Sequence, residues 1–480
     1  MTKVAVVAAL VAWLASADWL VGASVLVLAL SWIILRADEG PPVLALAVTL
    51  QWVTVSVGLF YVNITGRPLE ATLFSDYRPM VLIGLTCLVA LSAGLYVGRR
   101  LVDRRRRPVG IRPDYALTFK TLVFCYAGAS AVVGAVHQVA WQYPSITQAI
   151  IALTYLRLGL LYLVLRRLVA NDRWLIVAGV LVLEVGLGVT GFYAGFREPL
   201  IMAVLAYLER FDRRRLRHWV TVGALAVAMC ALGVIWVNVR VSYRERFLSD
   251  ENFAQNRSAR FDSLAAATRI WAARDREQLT SDLDAFIDRL WAIYYPALAV
   301  RRVPNVLPHS DGKLMLQALQ YVFMPRIFFP DKPDIGSDSE LVRKYSGVMV
   351  AGDQQDTNIA FGYAAESYVD FGIPLMFVPV FLWGTFMGVC YAGILRTFRH
   401  RDIAVAVATV VCWLSLYLFE RSWAKTIGLA GTLMIYLGGV TFLLDRLWYE
   451  KWRRLYAEGC PEATPTQVQA SPLHFQPDSK

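Results

Sequence analysis

Histidine and cysteine are both scarce, at five and six in 480 residues. The cysteines (Cys87, Cys125, Cys230, Cys390, Cys412 and Cys460) are far apart, and all but Cys460 lie inside apolar stretches. No disulfide framework or zinc spacing can be assembled from them, so no metal site is expected. Charge is thin as well: 18% of residues are Asp, Glu, Lys or Arg against 57% hydrophobic, and the mean hydropathy is +0.47. Soluble domains are less apolar, and runs of ~20 apolar residues recur along the chain, which points to a polytopic membrane protein. Met1 to Leu35 lacks an A-x-A-like cleavage site followed by a polar mature region, so it is expected to stay as an anchor. No internal repeat stands out.

What is abundant is arginine, placed at every second break between the apolar stretches. The clusters are Arg99, Arg100 and Arg104 to Arg107; Arg166, Arg167 and Arg173; Arg210 with Arg213 to Arg217; Arg396, Arg399 and Arg401; and Lys451, Arg453 and Arg454. Short loops rich in Lys and Arg stay cytoplasmic, so these clusters fix an orientation with both termini inside. Because orientation accounts for most of the basic clusters, the net charge of +11 does not argue for nucleic acid. The clusters lack the interleaved aromatics of a nucleic-acid module, so no nucleic-acid partner is expected.

The expected fold is all-α, a polytopic bundle of about twelve spans with a large, partly helical periplasmic loop. It divides into N-terminal spans (1–239), the loop region (240–371), C-terminal spans (372–446) and a cytoplasmic tail (447–480), disordered after Glu458. Two spans are ambiguous. Val4–Ala17 and Trp19–Leu35, separated by Asp18, also read as one long helix. Glu198–Glu209 is short for a crossing, yet the basic clusters on either side require one; short helices are tolerated where they line a cavity. Arg157 and Glu184 fall near the middle of spans joined by the basic turn Arg166–Arg173. An unpaired charge there costs ~3 kcal/mol or more, so the two are expected to form a structural intramembrane pair, with a proton relay as the alternative.

The outer segment carries the candidate chemistry. Apolar residues at helical spacing predict an amphipathic helix over Asp282–Tyr295, ended by Pro296, and another before Pro325. Met324 to Thr357 reads as irregular. Arg197 follows Gly195 at the start of a Pro199 helix, where helix N-terminal amides favour anions. Arg240, Arg244 and Arg246 run against the orientation rule by being basic on the outer side; Arg240 is the strongest candidate. Arg326 and Lys332 sit on a proline-punctuated loop, a rigid mount for phosphate-binding cations. Together Arg197, Arg240, Arg244, Arg326 and Lys332 are the candidate diphosphate ligands. Glu366, then Asp356, are carboxylates placed to act as a general base, with Arg326 also assigned a catalytic part. The plainer alternatives are surface ion pairs for the cations and helix capping for the carboxylates. His309 is assigned no role.

Three of these elements resemble the bacterial oligosaccharide repeat-unit polymerases, the Wzy type of O-antigen and exopolysaccharide polymerase. They are Gly195-Phe-Arg197 leading a short helix, the Pro325-Arg326…Phe329-Pro330-Asp-Lys332-Pro333 loop, and the run from Thr357 through Gly362, Glu366, Tyr368 and Phe371 to Gly372. The likeness covers roughly Gly191 to Leu395. It implies a metal-independent glycosyltransferase, without cofactor, in the bacterial inner membrane. Such an enzyme moves a growing glycan from undecaprenyl diphosphate onto the next lipid-linked repeat unit at the periplasmic face, with a chain-length regulator as a further partner. Arg197, Arg326 and Lys332 would then contact diphosphate, and Glu366 would contact sugar or act as base. The O-antigen ligases share this layout but carry a loop histidine in a context that His309 lacks. A lipid-glycan flippase using Arg157 and Glu184 is the other alternative.

Overall fold

The computed structural model describes residues 2–36, 40–105, 118–140, 144–189, 195–212, 214–250, 256–324, 329, 337–352 and 359–447. The described chain is all helical, without strands. It opens with α1 (Thr2–Ser16), α2 (Trp19–Leu35), α3 (Val43–Thr65), α4 (Glu70–Phe74) and α5 (Tyr77–Arg105). Next come α6 (Phe119–Ala140), α7 (Pro144–Thr154), α8 (Leu156–Ala170), α9 (Trp174–Val189), α10 (Arg197–Leu208) and α11 (Leu216–Ser249). Shorter helices follow: α12 (Arg257–Ala272), α13 (Arg276–Leu290), α14 (Tyr294–Arg302), α15 (Lys313–Phe323), α16 (Asp338–Ser346) and α17 (Tyr363–Phe371). The chain closes with α18 (Phe377–Thr397), α19 (Arg401–Leu416) and α20 (Trp423–Thr432), which continues into a π-helical turn, Leu433–Gly438.

Among the described residues, six helical segments are long and apolar enough to cross a bilayer: α3, most of α5, Thr147–Ala170, Leu216–Arg240, α18 and Trp423–Leu447. Helices α1, α2, α9 and most of α6 are apolar but shorter. This fits a transmembrane protein. The tightest crossing is α5 on α18, where Gly94 and Gly98 face Gly384 and Gly388. A Cβ on Gly98 would lie 2.0 Å from the Thr385 carbonyl oxygen, and one on Gly388 would lie 2.3 Å from that of Leu95. Small residues four apart on both helices let the backbones touch, the packing favoured where water does not drive association.

Local sequence explains where the helices begin and end. Helices α1 and α2 are separate because Ala17 takes a left-handed φ of 53° and Asp18 caps α2, accepting from the Leu20 N–H at 3.0 Å. Helix α13 stops at Leu290, and Pro296 lies in the first turn of α14 instead of ending the helix before it. A proline costs nothing there, since first-turn N–H groups have no intrahelical partner. Helix α16 interrupts the stretch expected to be irregular; the Asp338 and Glu340 carboxylates in its first turn suit the positive end of its dipole.

The two ends of the bundle differ. At one, Arg166 bridges Glu209 (2.6 Å) and Asp402 (2.8 Å), Arg167 also reaches Asp402 (3.1 Å), and Arg396 pairs with Asp103 at 2.6 Å. Four of the basic clusters contribute contacts to this end; the cluster at Lys451 lies outside the described residues. The opposite end carries the Arg78–Asp18 pair (2.8 Å) and the short helices. Trp291 pegs α13 and α14 into α3: its indole N–H donates to the Val55 carbonyl at 2.8 Å, and the Ala292 N–H donates to that of Thr54 at 3.0 Å.

Candidate functional site

Of the residues singled out in the sequence, Arg326, Lys332 and Asp356 lie outside the described residues. Arg197 is the first residue of α10, half exposed, with its guanidinium 3.9 Å from Glu198. Arg240 is half-buried on α11, one turn past Trp236, whose ring packs with Phe196 and Leu200. Arg244 follows on the same helix.

Glu366 is 3% exposed on α17. Its Oε2 accepts the Trp423 N–H at 2.9 Å, closing the N-terminus of α20, while Oε1 has no hydrogen-bond partner among the described residues. Burial pushes its pKa up to about 8; the Trp423 N–H and Lys425 oppose this, while Asp338 and Asp370 add to it. Every polar neighbour along α17 is likewise committed to structure. Tyr363 donates its N–H to the Arg421 carbonyl (2.8 Å) and its hydroxyl to Gln51 (2.6 Å), and the Ser367 hydroxyl takes the Trp423 indole N–H at 2.9 Å. Asp370 accepts from Leu314 (3.1 Å) and Met315 (2.8 Å), capping α15. Gly362 makes the close approach possible: at φ 93°, a Cβ there would meet the Phe419 carbonyl oxygen at 3.0 Å. Gly362, Tyr363, Glu366 and Ser367 thus clamp the Tyr417–Trp423 turn.

That turn carries what sequence reasoning missed. Arg421 donates to the Leu414 carbonyl at 2.6 Å, at the C-terminal end of α19, and stacks over the Tyr417 ring at 5.4 Å. Burial lowers the Arg421 pKa from its ordinary value, as for a cation with too little counter-charge around it. Tyr417 and Glu420 are electrostatic neighbours of both Arg421 and Arg197. Arg289 at the end of α13 reaches Glu420 at 3.4 Å. Guanidinium groups from three separate elements are therefore neighbours of Glu420, and two of them, Arg197 and Arg421, of Tyr417 as well. The signal was present: Glu420 and Arg421 occupy a short turn on the side opposite the basic clusters, where the orientation rule disfavours cations.

An apolar cavity of about 160 Å³ lies between α6, α8, α19 and the segment after α20, reaching from Ile403 and Leu444 near the basic end up to Tyr155. Its wall includes Leu122, Cys125, Leu160, Val407 and Leu444, and Tyr155 lines it too. Tyr155 sits at the break between α7 and α8 and is itself an electrostatic neighbour of Glu198, Tyr417 and Arg421.

Arg157 and Glu184 form an ion pair, with the Tyr126 hydroxyl also donating to Glu184 and Arg157 reaching the Ser130 hydroxyl at 3.0 Å. His309 lies edge-on to Tyr368 with Nδ1 3.1 Å from the Tyr368 carbonyl oxygen. Among the described residues no group of His, Cys, Asp and Glu is arranged to hold a metal. A family model described as a domain of unknown function (DUF8712) matches residues 88–393. No curated protein and no solved structure matches the chain.

Proposed function

The chain belongs to the DUF8712 family, described only as a domain of unknown function; from its sequence and site we propose that it is a membrane glycosyltransferase of the repeat-unit polymerase type. It takes an undecaprenyl-diphosphate-linked glycan as donor and a lipid-linked repeat unit as acceptor. In this reading about twelve helices cross a bacterial inner membrane, with both termini and the basic end in the cytoplasm. The Arg197–Arg421 cluster then faces the periplasm.

The observation that supports the proposal is that Arg197 and Arg421 share Tyr417 and Glu420 as electrostatic neighbours, and that Tyr155, which lines the apolar cavity, neighbours Tyr417 and Arg421. A polyprenyl diphosphate has this duality, an apolar chain ending in a compact dianion. Guanidinium groups offer paired donors to phosphate oxygens, and the α10 N-terminus adds backbone N–H groups beside Arg197. As the bond from the anomeric carbon to the phosphate oxygen breaks, charge grows on the diphosphate. Fixed cations stabilise that charge most where water is excluded. A diphosphate leaving group needs little acid assistance, in keeping with a histidine-poor site.

The test is a deletion strain complemented with variants. Arg197→Ala and Arg421→Ala should each lose a charge-assisted contact of roughly 2 kcal/mol, shortening the glycan ladder and accumulating single lipid-linked repeats. Normal ladders from both variants, with ladders abolished by Arg157→Ala or Glu184→Ala, would instead favour the flippase alternative that the buried Arg157–Glu184 pair permits.

A further inference from the structure

We propose that Glu420 is the group that accepts the proton from the acceptor sugar, and that Glu366, the carboxylate best placed by sequence, is a positioning residue. This rests on the lipid-diphosphate reading above. A catalytic base must reach the reacting hydroxyl, and Glu366 does not: it is 3% exposed, with one oxygen committed to the Trp423 N–H at 2.9 Å. What Glu366 holds is the turn that carries Glu420 and Arg421. Glu420 has the properties Glu366 lacks. Its side chain is 34% exposed, and its partner Arg289 is a loose 3.4 Å away. Its chain neighbour Arg421 and the Arg197 across from it are the cations assigned to the diphosphate. Glu198, the other carboxylate of the cluster, is closer to full burial at 20% exposed and lies beside Arg197, on the phosphate side.

The geometry dictates a sequence of events. Diphosphate oxygens take over the Arg197 and Arg421 guanidinium groups, which frees the Glu420 carboxylate from their field. The acceptor hydroxyl oxygen then bonds to the donor's anomeric carbon as the anomeric carbon–phosphate oxygen bond breaks. The electron pair leaves with the lipid diphosphate, and the hydroxyl proton passes to Glu420. Because Glu420 and Arg421 are adjacent in the chain, one turn sets the spacing between proton acceptor and leaving-group clamp.

Two readouts on the full-length protein test this: binding of undecaprenyl diphosphate itself, and transfer measured as kcat and KM with lipid-linked repeats in proteoliposomes. Glu420→Gln should lower kcat by about 100-fold or more, leaving KM and undecaprenyl diphosphate binding within about threefold. Glu420→Asp should recover part of the loss. Glu366→Leu should impair transfer, and Glu366→Gln, which keeps an acceptor for the Trp423 N–H, should restore it. Full activity in Glu420→Gln with normal lipid binding overturns the inference alone, as does a hundredfold loss in Glu366→Gln. A wild-type protein that does not bind undecaprenyl diphosphate overturns both the inference and the reading beneath it.

Discussion

The buried Glu366 makes the sharpest demand on the fold. Its pKa stands at about 8 in the folded chain against an ordinary 4.5, burial being the main cause. At neutral pH the carboxyl is protonated when folded and ionised when unfolded, so folding takes up a proton. An acid raised in this way costs nothing at pH values below its unfolded value. The cost then grows as pH climbs toward the folded value and levels off above it. Across that interval it amounts to roughly 5 kcal/mol. Glutamine cannot ionise but can still accept the Trp423 N–H, so Glu366→Gln removes the pH dependence while keeping the cap on α20. The assay is the thermal midpoint of the solubilised full-length protein from about pH 5 to about pH 9. Wild type should lose on the order of 5 °C over the range relative to Glu366→Gln, and the variant should be the more stable protein at the alkaline end. A Glu366→Gln curve that keeps the wild-type slope would refute the burial argument. A variant as unstable as Glu366→Leu would refute the capping role.

Two further outcomes follow from packing. Gly98→Val places its Cβ against the Thr385 carbonyl oxygen, where only 2.0 Å is available, and should cost ~3 kcal/mol. Gly223→Ala, with nothing within 4 Å, should leave the thermal midpoint unchanged and serves as its control. Trp291→Ala removes the peg between α3 and the outer helices at a cost of ~4 kcal/mol. Hydrogen exchange should rise across residues 276–302 with little change in α5 and α18.

Much of the helical plan was legible because apolar runs and basic breaks are long-range, redundant signals. The short helix expected at Glu198–Glu209 is α10, and the mid-helix charges Arg157 and Glu184 meet. Boundaries were harder where one residue serves two elements: Pro296 looks like a stop in the sequence and is a start in the fold. The α5–α18 contact was written in Gly94, Gly98, Gly384 and Gly388, but spacing on two helices so distant in the chain does not say which partners meet. The site was less legible than the fold. Arg197 is where the sequence pointed, but its companions Glu420 and Arg421 come from a turn more than two hundred residues away, and only the packing of α19 and α20 brings them near. Glu366 stands before a late apolar stretch, a place that suggests chemistry, and in the fold it is 3% exposed and accepts the Trp423 N–H, which no sequence pattern announces.

The most direct measurement is a cryo-electron microscopy map of the full-length protein bound to undecaprenyl diphosphate. Two phosphate densities should lie within about 4 Å of both the Arg197 and the Arg421 guanidinium groups, with chain density passing Tyr155 into the hollow walled by Leu160 and Val407. Phosphate density elsewhere on the bundle, with Arg197 still beside Glu198 and Arg421 still on the Leu414 carbonyl, would contradict the account.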